Sequence, residues 1–148
     1  MSKRLLITGG AGFIGANAVR RALADGHQVT VIDNLFTGFL RNLDAVRDQV
    51  AFVEHDVVEP LPELDCDAVM HLACPASPPH YQRDPVYTWE TAVLGTRNVV
   101  RFAAERGIPV LIASTSEIYG DPAVTPQPET YWGNVNPIGE RSCYDEGK

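Results

Sequence analysis

The stretch from Arg4 to Gly15, R-L-L-I-T-G-G-A-G-F-I-G, constrains the fold more than any other part of the chain. A short apolar run leads into Gly9, Gly12 and Gly15, and a helical pattern of apolar residues follows. A strand, a glycine turn and a helix in this order form a cradle for the pyrophosphate of a dinucleotide. Glycine lets the backbone approach the phosphates, and the start of the helix offers free N–H groups.

The rest of the chain alternates apolar runs with helical patterns. These patterns predict strands over 3–8, 28–32, 50–54, 68–72 and 109–113, and helices over 13–25, 40–47 and 86–106. Loops over 34–38 and 114–141 separate some of them, and a last element begins near residue 142. The alternation predicts an α/β fold, a Rossmann-type doubly wound parallel sheet with strand order 3-2-1-4-5.

Composition limits the class of protein. The chain has 148 residues, is 45% hydrophobic and 21% charged, and therefore fits one globular domain over residues 1–148. A net charge of −7 without a basic stripe argues against nucleic-acid binding. Cys66, Cys74 and Cys143 are widely spaced, which favours free thiols in a reducing cytoplasm over a metal site. No signal peptide or membrane-spanning stretch is expected, so we predict a cytoplasmic protein.

Two acids follow predicted strands at the edge where such sheets bind ligands. Asp33 lies 18 residues after Gly15, where a carboxylate can accept hydrogen bonds from the adenosine ribose. It would repel a 2′-phosphate, so the expected cofactor is NAD rather than NADP; the alternative is a simple turn residue. Asp56 has two interpretations, a contact to the adenine amino group or a capping and turn role.

A second set of polar residues indicates chemistry. Thr115 and Glu117 follow the fifth strand, and Tyr144 and Lys148 are four residues apart on one helical face. An ammonium group and an oxidised nicotinamide both favour the phenolate of a nearby tyrosine. That phenolate can take a proton from a sugar hydroxyl while hydride leaves the same carbon. Thr115 would then hold the hydroxyl oxygen, and Glu117 would handle a second proton.

Several longer motifs resemble a known family. T-G-G-A-G-F-I-G and Y-D-E-G-K are similar to the extended short-chain dehydrogenase/reductases. Within that family the chain resembles the UDP-glucuronate decarboxylases. The motifs that carry this likeness are D-N-L-F-T-G (33–38), H-D-V (55–57), H-L-A-C-P-A-S-P (71–78), A-S-T-S-E-I-Y-G-D-P (113–122) and Y-W-G-N-V-N-P-I-G-E-R-S-C-Y-D-E-G-K (131–148).

The resemblance implies NAD-dependent decarboxylation of UDP-glucuronate to UDP-xylose through a 4-keto intermediate. Tyr144 would be the base, supported by Lys148, while Thr115 would hold the substrate and Glu117 would manage protons. Tyr81 matches a position that faces the sugar acid, although packing on its loop is an equal interpretation. The implied cofactor contacts are Gly9, Gly12, Phe13, Ile14, Gly15, Asp33, Asn34, Thr37, Gly38, Asp56, Val57, Leu72, Ala73, Tyr144 and Lys148.

The chain also departs from the family pattern. Ala16-Asn17 stands where Ser-His is usual, Phe39 where a basic residue is usual, and Ala92 where asparagine is usual. Family members are considerably longer, with a C-terminal lobe for the UDP-sugar. We therefore expect an N-terminal part of such an enzyme, truncated before that lobe, with strand five at an exposed sheet edge. It should bind NAD and be inactive alone.

The full-length form would be a homodimer through the helix over 86–106 and the one that begins at Ser142. Alternatives are a UDP-sugar 4-epimerase, a 4,6-dehydratase or a non-catalytic dinucleotide-binding module.

Overall fold

A computed structural model describes residues 1–148 and contains one five-stranded parallel sheet. The order across the sheet is β3-β2-β1-β4-β5, which confirms the predicted topology. The strands are β1 (Arg4–Thr8), β2 (Gln28–Asp33), β3 (Val50–Glu54), β4 (Ala68–His71) and β5 (Val110–Ile112).

Helical segments connect the strands. They are α1 (Phe13–Ala24), a 3₁₀ segment (Leu40–Gln49), α2 (Pro78–Tyr81), α3 (Pro85–Glu90), a π-helical turn (Thr91–Gly95), α4 (Thr96–Arg106), a second 3₁₀ segment (Ser116–Tyr119) and α5 (Ser142–Asp145). The long helix predicted over 86–106 is therefore interrupted by one wide turn. The helix predicted over 40–47 is 3₁₀ rather than α. None of the helices has the length and apolarity needed to cross a membrane.

Two apolar cores lie on opposite faces of the sheet, as a doubly wound fold requires. Successive side chains of β1 point to opposite faces. Leu6 packs with Val99 and Phe102 of α4, whereas Ile7 packs with Val19 of α1 and Leu43 of the first 3₁₀ segment. Leu6, Ile7, Val19, Val99 and Leu43 are completely buried. This alternation explains why the strand reads as an unbroken apolar run.

The parallel register brings several strand ends to one edge of the sheet. Thr8 at the end of β1 pairs with Ile32 of β2 and with His71 of β4. Gly9 N donates to Ile32 O at 2.8 Å, and Leu72 N donates to Thr8 O at 3.1 Å. The glycine turn and the loops that follow β2, β3 and β4 therefore meet at this edge.

β5 is the outer strand of the sheet beside β4 and is only three residues long. Its outer edge has no strand beside it, and Leu111 and Ile112 are 53% and 41% exposed. The expected exposed edge is therefore confirmed.

Candidate active site

The glycine turn joins β1 to α1 in a way that only glycine permits. Gly9 has φ +72°, and a Cβ there would lie 2.7 Å from the backbone N of Ala73. A Cβ on Gly15 would lie 2.0 Å from Gly9 O. A Cβ on Gly12 would lie 3.2 Å from Gly9 O, which is closer than ordinary van der Waals contact.

The first turn of α1 has unpaired donors. The N–H groups of Phe13, Ile14 and Gly15 make no backbone hydrogen bond, and no side chain caps the helix. These N–H groups and the positive end of the helix dipole suit a phosphate group despite the negative net charge of the chain. The Phe13 and Ile14 side chains themselves are 85% and 69% exposed.

Asp33 links the glycine turn to the loop after β2. It is only 7% exposed, and its Oδ2 accepts from Ala11 N while its Oδ1 accepts from Leu35 N, both at 2.9 Å. The Leu35 bond is the turn role considered from sequence. Each carboxylate oxygen can accept a second hydrogen bond, so Asp33 keeps acceptors for a ribose hydroxyl.

A cleft opens between these loops. Ten of the predicted cofactor residues line it: Gly9, Gly12, Asp33, Asn34, Thr37, Gly38, Asp56, Val57, Leu72 and Ala73. Phe13, Ile14, Gly15, Tyr144 and Lys148 are not among its lining residues. Four further lining residues were not predicted. Phe36 and Cys74 lie within quoted motifs but were given no role, and no motif marked Tyr87 or Thr91.

Tyr144 lies buried on α5, 6% exposed, with its ring stacked on that of Tyr81. The ring centroids are 5.1 Å apart and the planes differ by 5°. Tyr81 is completely buried and its hydroxyl has no partner. The packing interpretation of Tyr81 therefore has a defined contact.

Burial raises the pKa of Tyr144, while hydrogen bonding to Thr115 acts in the opposite direction. Lys148 N donates to Tyr144 O at 3.0 Å, which extends the helical turn. Burial lowers the pKa of Lys148. Its ammonium charge acts on His71 and Cys74. Support of the phenolate by Lys148 stays a prediction.

Glu117 belongs to a cluster that sequence reasoning missed. Arg141 Nη2 lies 2.5 Å from Glu117 Oε2. Asp145 has its pKa raised to about 6, first by burial and then by hydrogen bonding to Glu117. The Oδ1 atom of Asp145 is buried without a partner. The neighbouring Glu117 carboxyl therefore favours the protonated form of Asp145. The available signal was the four-residue spacing of Arg141 and Asp145, which puts both on one helical face.

His71 is a second buried group, the first residue of the motif H-L-A-C-P-A-S-P, for which no role was predicted. It is 1% exposed, and its ring nitrogens contact Thr8 Oγ1 at 2.7 Å and Thr96 Oγ1 at 3.1 Å. Burial, and then the charge of Lys148, lower the pKa of His71 to about 4. The imidazole is therefore neutral near pH 7, with both of its nitrogens partnered.

A family model described as "NAD dependent epimerase/dehydratase family" matches residues 5–148. The chain belongs to this family. Its cleft, with free N–H groups at a helix start and a buried acid after β2, agrees with a family of NAD-dependent enzymes.

Individual family members give a finer comparison. The chain is 53% identical over 148 residues to UDP-glucuronic acid decarboxylase 1 of Xenopus tropicalis. This alignment covers 99% of the chain and 35% of the relative. The chain therefore spans about a third of the length of this relative.

Solved structures of family members share the fold. A UDP-glucose 4-epimerase of Thermotoga maritima with UDP-glucose has a TM-score of 0.82 and 28% identity, covering 98% of this chain and 47% of that one. The Bordetella bronchiseptica enzyme WbmG in complex with NAD also has a TM-score of 0.82 and 28% identity, covering 99% of this chain and 47% of that one.

Proposed function

We propose that residues 1–148 form the cofactor-binding part of a UDP-glucuronate decarboxylase. One observation carries this proposal: a cleft that suits a dinucleotide lies in a chain that is 53% identical to a decarboxylase over 99% of the chain's own length. The 148 residues alone are expected to bind NAD and not to turn over UDP-glucuronate, since they span 35% of that relative.

The residues of the cleft fit NAD. The free N–H groups of Phe13 and Ile14 would bind the pyrophosphate beside Gly12, and Asp33 would bind the adenosine ribose. Asp56 would face the adenine. Bound NAD⁺ supplies a hydride acceptor for the sugar C4 and afterwards returns the hydride.

Tyr144 would act as the base for the C4 hydroxyl. The phenol is neutral at pH 7 in the buried site, so it must lose its proton as the substrate binds. Thr115 favours the phenolate by hydrogen bonding and would hold the same hydroxyl oxygen. Lys148 would add positive charge from the next helical turn. The stacked ring of Tyr81 fixes the plane of the Tyr144 ring.

The remaining residues would act on the carboxyl end of the sugar. A ketone at C4 stabilises the enolate that forms when the bond from C5 to the carboxylate breaks and CO₂ leaves. Glu117 would manage the proton that C5 takes up, with Asp145, whose pKa is raised to about 6, beside it. The unpartnered hydroxyl of Tyr81 would contact the sugar acid. The proposal includes a cytoplasmic homodimer.

A chimera tests this assignment. The chain would replace its matching 148 residues in the Xenopus tropicalis relative, and the products from UDP-glucuronate would be identified with Tyr144→Phe as the control. We expect CO₂ and UDP-xylose from the chimera and neither product from the variant. A 4-epimerised product or a 4-keto-6-deoxy sugar from UDP-glucose would instead support the 4-epimerase or 4,6-dehydratase alternative. A chain that binds NAD and gives an inactive chimera would favour the non-catalytic module.

A further inference from the structure

Tyr87, on α3, belongs to a hydrogen-bond network of polar side chains that lines the cleft. Its hydroxyl donates to Asp56 Oδ2 at 2.6 Å. Asn34 Nδ2 donates to the same oxygen at 2.9 Å and also contacts the Tyr87 hydroxyl. Asn34, Asp56 and Tyr87 all line the cleft. The three side chains come from the loop after β2, the loop after β3 and α3.

The network leaves the Asp56 carboxylate able to accept one more hydrogen bond. Each carboxylate oxygen accepts about two hydrogen bonds. Oδ2 is filled by Tyr87 and Asn34, whereas Oδ1 accepts only from Val58 N, at 3.0 Å. One acceptor direction is therefore left on Oδ1. A ligand that presents an N–H at this point can bind there, and a ligand that presents a carbonyl oxygen meets a carboxylate.

Two side chains hold the backbone of Tyr87 in place. Asp84 caps α3 by accepting from Tyr87 N at 2.9 Å, and Thr91 Oγ1 donates to Tyr87 O at 2.8 Å. The Phe36 ring meets the Tyr87 ring edge-on with centroids 4.9 Å apart. Burial, and then the bond to Asp56, raise the pKa of Tyr87 to about 12, so its hydroxyl stays a donor at neutral pH.

We propose that Tyr87 is a positioning residue for base specificity: it holds Asp56 so that one acceptor faces the base of the dinucleotide. This rests on the proposed binding of NAD. The cleft should then prefer adenine, whose 6-amino group donates, over hypoxanthine, which carries a carbonyl oxygen at the same place. Tyr87 itself need not contact the cofactor.

Isothermal titration calorimetry with NAD⁺ and nicotinamide hypoxanthine dinucleotide tests the proposal. We expect the unmodified chain to bind NAD⁺ about tenfold more tightly than the hypoxanthine analogue, since a hydrogen bond to a charged group contributes at least this much. In Tyr87→Phe the preference should fall to about twofold, chiefly by weaker NAD⁺ binding. Asp56→Asn should lose the preference as well, and the double variant should lose no more than Asp56→Asn.

Tyr119→Phe is the matched control, because Tyr119 lies outside the cleft. It should keep the tenfold preference. A Tyr87→Phe chain with the original preference, or with equal losses for both dinucleotides, would overturn the role of Tyr87. A folded unmodified chain that binds neither dinucleotide would refute the proposed function itself. Asp56→Asn gives an independent reading if Tyr87→Phe does not fold.

Discussion

Asp145→Asn should change how the stability of the chain depends on pH. Burial and the neighbouring Glu117 carboxyl raise the pKa of Asp145, and Glu117 also pairs with Arg141. The asparagine amide has nearly the same shape, carries no charge and can donate to the Glu117 carboxylate. The variant therefore imitates protonated Asp145 at every pH.

The magnitude follows from the pKa of Asp145, which is raised from 3.8 to about 6. A folded-state pKa above the unfolded value stabilises the fold at low pH, and this stability is lost as pH rises through 6. Two pKa units correspond to at most about 3 kcal/mol. The contribution of His71 to stability depends on pH in the opposite direction, because its pKa is lowered from 6.5 to about 4. Its contribution is present above pH 6.5 and is lost as pH falls to 4.

The two contributions nearly cancel between pH 4 and 6 in the unmodified chain. Removing the Asp145 contribution exposes that of His71, so the stability of Asp145→Asn should rise over this range. Urea unfolding at a series of pH values measures this, with the exposed Asp48→Asn as the control. Parallel pH profiles for Asp145→Asn and the unmodified chain would refute the raised pKa of Asp145.

Three further predictions concern single substitutions. His71→Asn should give the converse profile, with stability that falls from pH 4 to 6 in the same urea series; a rising profile would contradict the assignment. Gly15→Ala should prevent folding as judged by circular dichroism, because its Cβ would lie 2.0 Å from Gly9 O, whereas Gly26→Ala, at φ +83° in open space, should cost only about 1 kcal/mol. In the decarboxylase chimera, Tyr144→Phe should abolish CO₂ release and leave NAD⁺ affinity within about twofold, since Tyr144 does not line the cleft; a large loss of affinity would show a binding role instead.

The sequence predicted the sheet well for a physical reason. Apolar runs, glycine turns and helical periods are local, and parallel connections leave few possible topologies. Strand order and the place of Asp33 followed from these. The π-helical turn at 91–95 was missed, because it depends on packing around a helix that is otherwise regular.

The polar clusters were missed for a different reason. Tyr87 meets Asp56 across 31 residues, and Glu117 meets Arg141 across 24. Nothing in the local pattern marks such pairs, because each residue type is ordinary on a helix or loop. Lys148 shows a related limit. Its four-residue spacing from Tyr144 could be read from the sequence, but the effect of its charge on the pKa values of His71 and Cys74 could not.

The most direct test of the account is the affinity of the 148-residue chain for NAD⁺ and NADP⁺, measured by calorimetry. Asp33 is buried at the turn and keeps free acceptors, so it should bind a ribose and repel a 2′-phosphate. We predict that NAD⁺ binds at least about tenfold more tightly than NADP⁺, and that Asp33→Asn reduces this difference. A folded chain that binds neither dinucleotide, or that prefers NADP⁺, would contradict the account.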